Sequence, residues 1–518
     1  MLHLPRRALL TGFGFGLLSP TGPALAQAAF TESPFQLGVA AGDPLRDGFV
    51  IWTRLAPRPL EPDHGMPAAP MAVTWEVALD EAFATVVAQG EAVARPELAH
   101  AVHVEVEGLR PSRPYFYRFR CGGHASPVGR AKTAPAPGAV VDHADFVVLG
   151  CQSFEHGFYT GHARAAAEDA DFVYCYGDYI YEGAAAPTYT GSGGTIQNPR
   201  VHLGGECYSL DDYRRRYAQY KMDPDLQASH AAAAWFCTFD DHDVHSNWVG
   251  DFDEDGAPPE VFRLRRQSAF QAYYEHMPLR RSAFPTGSAM QMYRNAQWGD
   301  LLDLHLLDTR QYRSIQPCEN ARAATCAGVD AAEAQVLGEA QKAWLYRNLD
   351  ASAARWKVLA QQIMMMDLDR KEGPEVGYSL DTWAGYRIPR QRLLRRIRDR
   401  RIDNVVVLTG DEHQNYAGEL HIEGRNPDDA PVAAEFVVTS LSSSGDGQDQ
   451  RADGRRYLAD NAFLKFNNAQ RGYVVCDVTP DAWRTEFKVL DKVSERGGAL
   501  TTRATYALER GSSRIVAA

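Results

Sequence analysis

Four apolar runs in this chain stop abruptly on acids, imidazoles or a thiol, and this restricts the fold more than any other feature. The runs end as Val148-Leu149-Gly150-Cys151-Gln152, Tyr176-Gly177-Asp178-Tyr179-Ile180-Tyr181-Glu182, Thr238-Phe239-Asp240-Asp241-His242-Asp243 (with Asn247 beyond it) and Val407-Leu408-Thr409-Gly410-Asp411-Glu412-His413. Runs this apolar are buried on both faces. Helix-like segments such as 161–170 lie between them, so parallel or mixed sheets are expected. Strands are predicted at 146–149, 172–176, 235–239, 301–307, 356–360, 405–408 and 436–439, and 442–456 reads as a long polar loop. In sheets of this kind ligands bind beyond the carboxyl ends of the strands.

Each of these residues alone has an ordinary explanation. Cys151 reads as an inert buried thiol. Asp178 could cap the following turn, and Tyr181 could be an aromatic with a bonded hydroxyl. Asp240 and Asp241 could be solvated, His242 a satisfied core histidine, and Asp411 and His413 parts of a turn. Their combination at four strand ends is harder to dismiss. Asp and His form strands poorly and are costly to bury unpaired, so a shared countercharge is implied. A cluster of metal cations supplies one.

Before these runs, residues 35–133 alternate in short segments such as Phe49-Val50-Ile51-Trp52 and Val102-His103-Val104-Glu105-Val106, which predict half-buried strands. Leu109, Pro111, Tyr115 and Tyr117 have the spacing of a tyrosine corner, so a small fibronectin-like β-sandwich is expected. The Pro- and Ala-rich stretch 131–138 reads as a linker. At the start, Arg6 and Arg7 precede an apolar run over 8–18, and Ala24-Leu25-Ala26 has the small-x-small cleavage pattern. Twin arginines favour the Tat export machinery over the Sec alternative. No later stretch is long and apolar enough for a transmembrane anchor, so the mature protein is expected to be periplasmic or secreted. Among eight cysteines, Cys318 and Cys326 are the pair best placed for a bridge in an oxidising compartment. A net charge of -12 argues against a stable nucleic-acid complex. It leaves phosphate esters open as substrates, because bound cations reverse the local field.

Over 35–447 the sequence resembles the PhoD-type alkaline phosphatase/phosphodiesterases. The resemblance is carried by Gly38-Val39-Ala40-Ala41-Gly42-Asp43-Pro44, Gly150-Cys151-Gln152, the runs at 177–182 and 240–244, Tyr273-Tyr274-Glu275-His276, Leu307-Asp308-Thr309-Arg310, Leu359-Ala360-Gln361-Gln362 and 408–413. It implies an α/β fold, the αββα sandwich of calcineurin-like metallophosphoesterases, preceded here by the small β-sandwich. The expected division is a signal peptide over 1–26, the β-sandwich over 30–133, the metallophosphoesterase domain over 142–505 and a tail over 506–518. The resemblance also implies Fe3+ with one or two Ca2+. Carried over residue by residue, Cys151, Tyr181 and His413 bind the ferric ion, Asp178 bridges, and Asp241 and Asp411 bind the neighbouring divalent ion. Asn247 is a candidate for a third ion. Asp243 stands where relatives usually carry Glu, and Glu412 where Val is more common.

The function expected is hydrolysis of phosphate mono- and diesters by metal-clamped in-line attack on phosphorus. Phospholipids and nucleotides are included among the small-molecule esters. His242 is the candidate for stabilising the transition state or protonating the leaving oxygen. Arg310 either forks onto phosphate oxygens or makes a structural ion pair with Asp308 or another acid. The alternatives are a phospholipase D-like phosphodiesterase and a non-catalytic periplasmic phosphate-binding protein.

Overall fold

The computed structural model describes residues 30–191, 194–423 and 429–518; the expected signal peptide, with Arg6 and Arg7, lies outside them. Two large sheets stack face to face. The seven-stranded sheet runs Arg294–Trp298, Leu302–Leu306, Trp356–Ala360, Val405–Thr409, Ala433–Val437, Asn415–Leu420 and Leu464–Asn468. At the centre of the ten-stranded sheet, Ala144–Leu149, Phe172–Cys175 and Ala234–Cys237 run parallel. Alternate side chains of both sheets fill the space between them, among them Val148, Tyr174, Phe236, Leu304, Val358, Leu408 and Phe436. The outer face of the larger sheet is covered by helices Leu210–Lys221 and Pro259–His276. That of the smaller is covered by Gly338–Ala351 and Arg387–Asp399. The order is therefore α, β, β, α, because every central strand is apolar on both faces.

The N-terminal strands do not stand apart from this body. Val39–Leu45 pairs in parallel with Ala234–Cys237, Ala41 opposite Ala234, and Gly48–Arg54 and Ala101–Val106 extend the same sheet. A separate five-stranded sheet packs on this extension, with Val73, Val77, Tyr117 and Phe119 meeting Phe49, Ile51 and Val102. The result is a β-sandwich, one of whose sheets continues into the ten-stranded one. Its corner is made by Tyr115, whose hydroxyl accepts from the Arg110 N–H at 2.9 Å; the Tyr117 hydroxyl is buried without a partner.

Two expectations are refined. The polar segment 442–456 is not loop throughout, since helix Ala452–Asp460 begins inside it and buries Tyr457. The helix expected over 161–170 ends earlier, at Ala166. At the other end of the chain, Leu500–Glu509 and Val516–Ala517 form the edge of the ten-stranded sheet. Cys318 and Cys326 are disulfide-bonded. Among the described residues no helix is long and apolar enough to cross a membrane.

Candidate metal centre

The four polar strand ends meet at one edge of the stacked sheets. Glycines allow the approach. Tyr176 drives its ring between the turns that follow two strands, one from each sheet, and its hydroxyl donates to the Thr439 carbonyl at 3.0 Å. A Cβ on Gly150 would lie 2.4 Å from this ring and a Cβ on Gly410 2.1 Å, so both positions exclude a side chain. Gly177 has φ +134° and closes on the Asp240 backbone. The residues next to these glycines, Cys151, Asp178 and Asp411, have φ of +49°, +52° and +66°, and His413 has +53°. Left-handed backbone is costly for residues other than glycine and concentrates at functional sites. The Cys151 N–H to Gly177 O and Gln152 N–H to Asp178 O bonds, both 3.1 Å, tie the first two turns together.

Around Asp178 the side chains touch. Its Oδ2 accepts from the Tyr181 hydroxyl at 2.8 Å and lies 3.3 Å from Cys151 Sγ; its Oδ1 accepts from the His242 N–H at 3.2 Å. The Tyr181 oxygen is also 3.0 Å from His413 Nε2 and accepts from Ser443 Oγ at 2.7 Å. His413 Nδ1 is 3.0 Å from Ser444 Oγ. His242 stacks on the Tyr181 ring with centroids 4.1 Å apart, and its Nδ1 lies 2.8 Å from Glu182 Oε2. Ligand atoms within 4.8 Å of one another form three overlapping triads: Cys151–Asp178–His413, Asp178–Asp241–His242 and Asp240–Asp241–Asp411. Asp178 and Asp241 are each shared by two triads, the arrangement of bridging carboxylates.

Burial and crowding leave these groups short of positive charge. Burial, then Asp178, pushes the Cys151 thiol well above its ordinary range, and the same two causes raise the Tyr181 phenol. Burial, then Asp241, raises Asp178; burial, then Asp240, raises Asp411. Burial also lifts Asp241, but Arg310 and His242 outweigh it and hold that carboxyl at about 2. Burial lowers His413. For His242 burial pulls downward, yet Glu182, Asp241 and Asp178 together raise it well above the imidazole range. Asp240 Oδ2 and Asp241 Oδ1 are buried with no hydrogen-bond partner. The set fits metal cations: sulfur, phenol and imidazole donors lie on one side and carboxylate oxygens on the other.

Arg310 lies beneath the acids and is fully buried. Its Nε donates to Asp240 Oδ1 at 2.6 Å and its Nη1 to Asp381 Oδ2 at 2.9 Å, while Nη2 is 3.4 Å from Asp241 and 3.6 Å from Asp411. Asp308 instead accepts from the Arg310 backbone N–H. Arg310 is thus a buried cation among four acids, with Nη2 left without a hydrogen-bond partner. The Asn247 side chain is turned away, donating to Glu254 at 2.9 and 3.0 Å; its backbone N–H donates to Asp241 Oδ2 at 2.7 Å. Asp243 closes its turn by accepting from the Asp240 and Tyr179 N–H groups. Glu412 pairs with Arg370 at 2.5 Å.

Sequence reasoning gave no role to Asp240, Glu182, Asp381 or Ser443. The first two stand inside the quoted runs and could have been asked for partners. Asp381 and Ser443 lie in irregular segments with no pattern to mark them. A cleft of about 480 Å³ opens beside His413 and Ser444, with Arg322, Arg370, Arg451 and Tyr189 in its walls.

Residues 146–487 match the family model of PhoD-like phosphatases, and residues 21–135 match that of the PhoD-like phosphatase N-terminal domain. Alkaline phosphatase D of Bacillus subtilis (strain 168) is 44% identical over 486 residues, which span 94% of this chain and 82% of that protein. The solved "Structure of PhoD" shares 44% identity and a TM-score of 0.92, covering 95% of this chain and 93% of that one.

Proposed function

The chain belongs to the PhoD-like phosphatase family, a family of metal-dependent phosphoesterases, and on that premise we propose how its own residues carry the reaction. Cys151, Tyr181, His413 and Asp178 hold a ferric ion, and Asp178, Asp241 and Asp411 hold one or two calcium ions. Asn247 contributes through its backbone N–H on Asp241. When bound, the cations neutralise phosphoryl oxygens and lower the pKa of a water for in-line attack. The observation that carries this reading is the position of Asp178, one oxygen against Tyr181 and Cys151 and the other against His242.

His242 is the proton donor. Glu182 holds its Nδ1, and Nε2 makes no hydrogen bond among the described residues. Glu182 and the neighbouring carboxylates favour the protonated ring, so Nε2–H can pass a proton to the leaving oxygen. Arg310 holds Asp240 and Asp381 in place and offsets the charge of Asp241 and Asp411. The cleft beside His413 admits the ester, and its arginines suit an anionic substrate. A sandwich over 30–133, a catalytic domain over 142–505 and a tail over 506–518 remain our proposed division. Tat export to the periplasm or beyond is supported by Arg6-Arg7 and by the Cys318–Cys326 disulfide.

Replacing Asp178 tests the reading. Asp178→Ala is expected to lower kcat/KM on nitrophenyl phosphate by about a thousandfold or more. Iron and calcium, measured by elemental analysis, should fall with it, while the N-terminal sandwich stays folded. Wild-type turnover in this variant would overturn the assignment. A phenolate-to-iron absorption band, lost in Tyr181→Phe, tests the iron.

A further inference from the structure

A second set of ligand groups surrounds His245, outside the centre already described. This imidazole is 5% exposed, and neither ring nitrogen makes an aligned hydrogen bond. Carboxylates crowd both nitrogens. Nδ1 lies 3.2 Å from Glu182 Oε1 and 3.8 Å from Glu206 Oε1; Nε2 lies 3.0 Å from Asp253 Oδ1 and 3.3 Å from Asp255 Oδ2. Glu206, His245 and Asp255 each offer an atom within 4.8 Å of the other two. Tetrahedral bonds of about 2.0–2.2 Å put neighbouring ligand atoms about 3.3 Å apart, which matches the spacing around Nε2.

The chain pattern supports a ligand here. Residues 251–256 spell Asp-x-Asp-x-Asp-Gly, the opening of a calcium loop, and Gly256 has φ +79°. Yet Asp251 is committed to Arg266 at 2.9 Å, and Phe262 stands where such a loop places its bidentate glutamate. Asp253 and Asp255 face His245 instead. An imidazole among carboxylates suits zinc or manganese better than calcium.

We propose that His245, Asp255 and Glu206, with Asp253 beside them, form a peripheral site for a divalent transition metal. Glu182 against Nδ1 leaves Nε2 for the ion, as in other carboxylate–histidine–metal triads. Glu206 Oε1 pairs with Arg265 at 2.7 Å and lies 3.8 Å from His245 Nδ1, so the ion would share this carboxylate with Arg265. Through Oε2 the same Glu182 holds His242 at 2.8 Å. Filling the peripheral site therefore bears on the carboxylate that orients the proton donor.

The test is zinc loading of the full chain followed by dialysis and elemental analysis. Asp255→Asn/Glu206→Gln is expected to lose about one zinc equivalent per chain and to keep its iron. Asp178→Ala is expected to do the reverse, so failure of the catalytic assignment and failure of this one are distinguishable. Cobalt(II) loaded in place of zinc should give visible bands that the double variant lacks. If the double variant retains as much zinc as the wild type, the proposal is wrong and His245 is an imidazolium held by its acids. Should the double variant melt early, Asp255→Asn alone, at a largely exposed side chain, serves for the same comparison.

Discussion

Glu182 is buried and takes two imidazoles, His242 on one oxygen and His245 on the other. Burial opposes its ionisation, but the two histidines hold its carboxyl well below the usual range, while His242 is raised. The signs give a window. The His242 contribution to stability is complete below about pH 6.5 and disappears as pH rises through the raised folded value. The Glu182 contribution is complete above about pH 4.5 and disappears as pH falls through the lowered one. Glu182→Gln should therefore cost most between these limits, about 1–3 kcal/mol by urea denaturation, and less at pH 9. It should also move the alkaline limb of kcat to lower pH. An unmoved limb would mean that Glu182 does not set the His242 proton. At this scale the sequence was legible where a residue sits inside a strand-end run. It was not legible for Arg310, whose partners Asp240 and Asp381 are 70 and 71 residues away and are chosen by packing.

The strand-turn unit explains why the catalytic groups could be read at all. Apolar runs such as Val405–Thr409 can only be central strands, and a left-handed turn directly after one must carry something worth its strain. The wedge of Tyr176 between Gly150 and Gly410 was not visible, because nothing in a sequence shows which ring fills the space above a glycine. Gly410→Ala should force this ring aside and destabilise the protein by about 1–3 kcal/mol, with loss of bound metal; equilibrium unfolding and elemental analysis would read both. Wild-type stability in that variant would show that the turns are not clamped. The helix Ala452–Asp460 was missed for a related reason. Its polar first turn looks like loop, and the side chains that turn inward, Tyr457 with Leu458 partly buried, lie late in the helix.

Over the whole molecule the two-layer core was legible from the doubly apolar strands, and the sandwich from its alternation and its tyrosine corner. The continuity of the two was not, because Val39–Leu45 pairs with a strand almost two hundred residues later. Deleting residues 30–135 would strip three strands from the sheet whose next member, Ala234–Cys237, leads to Asp240 and Asp241. The truncated protein should be insoluble or unfolded by circular dichroism, and the full chain should melt in one calorimetric transition. A soluble, active fragment would contradict the shared sheet. During synthesis the first strand can pair with Gly48–Arg54, but its other edge must wait until the ribosome has passed residue 237. Such a long-range pairing is slow and exposes an open edge to aggregation. A polypeptide built this way gains from any device that shields that edge until its partner strand has emerged.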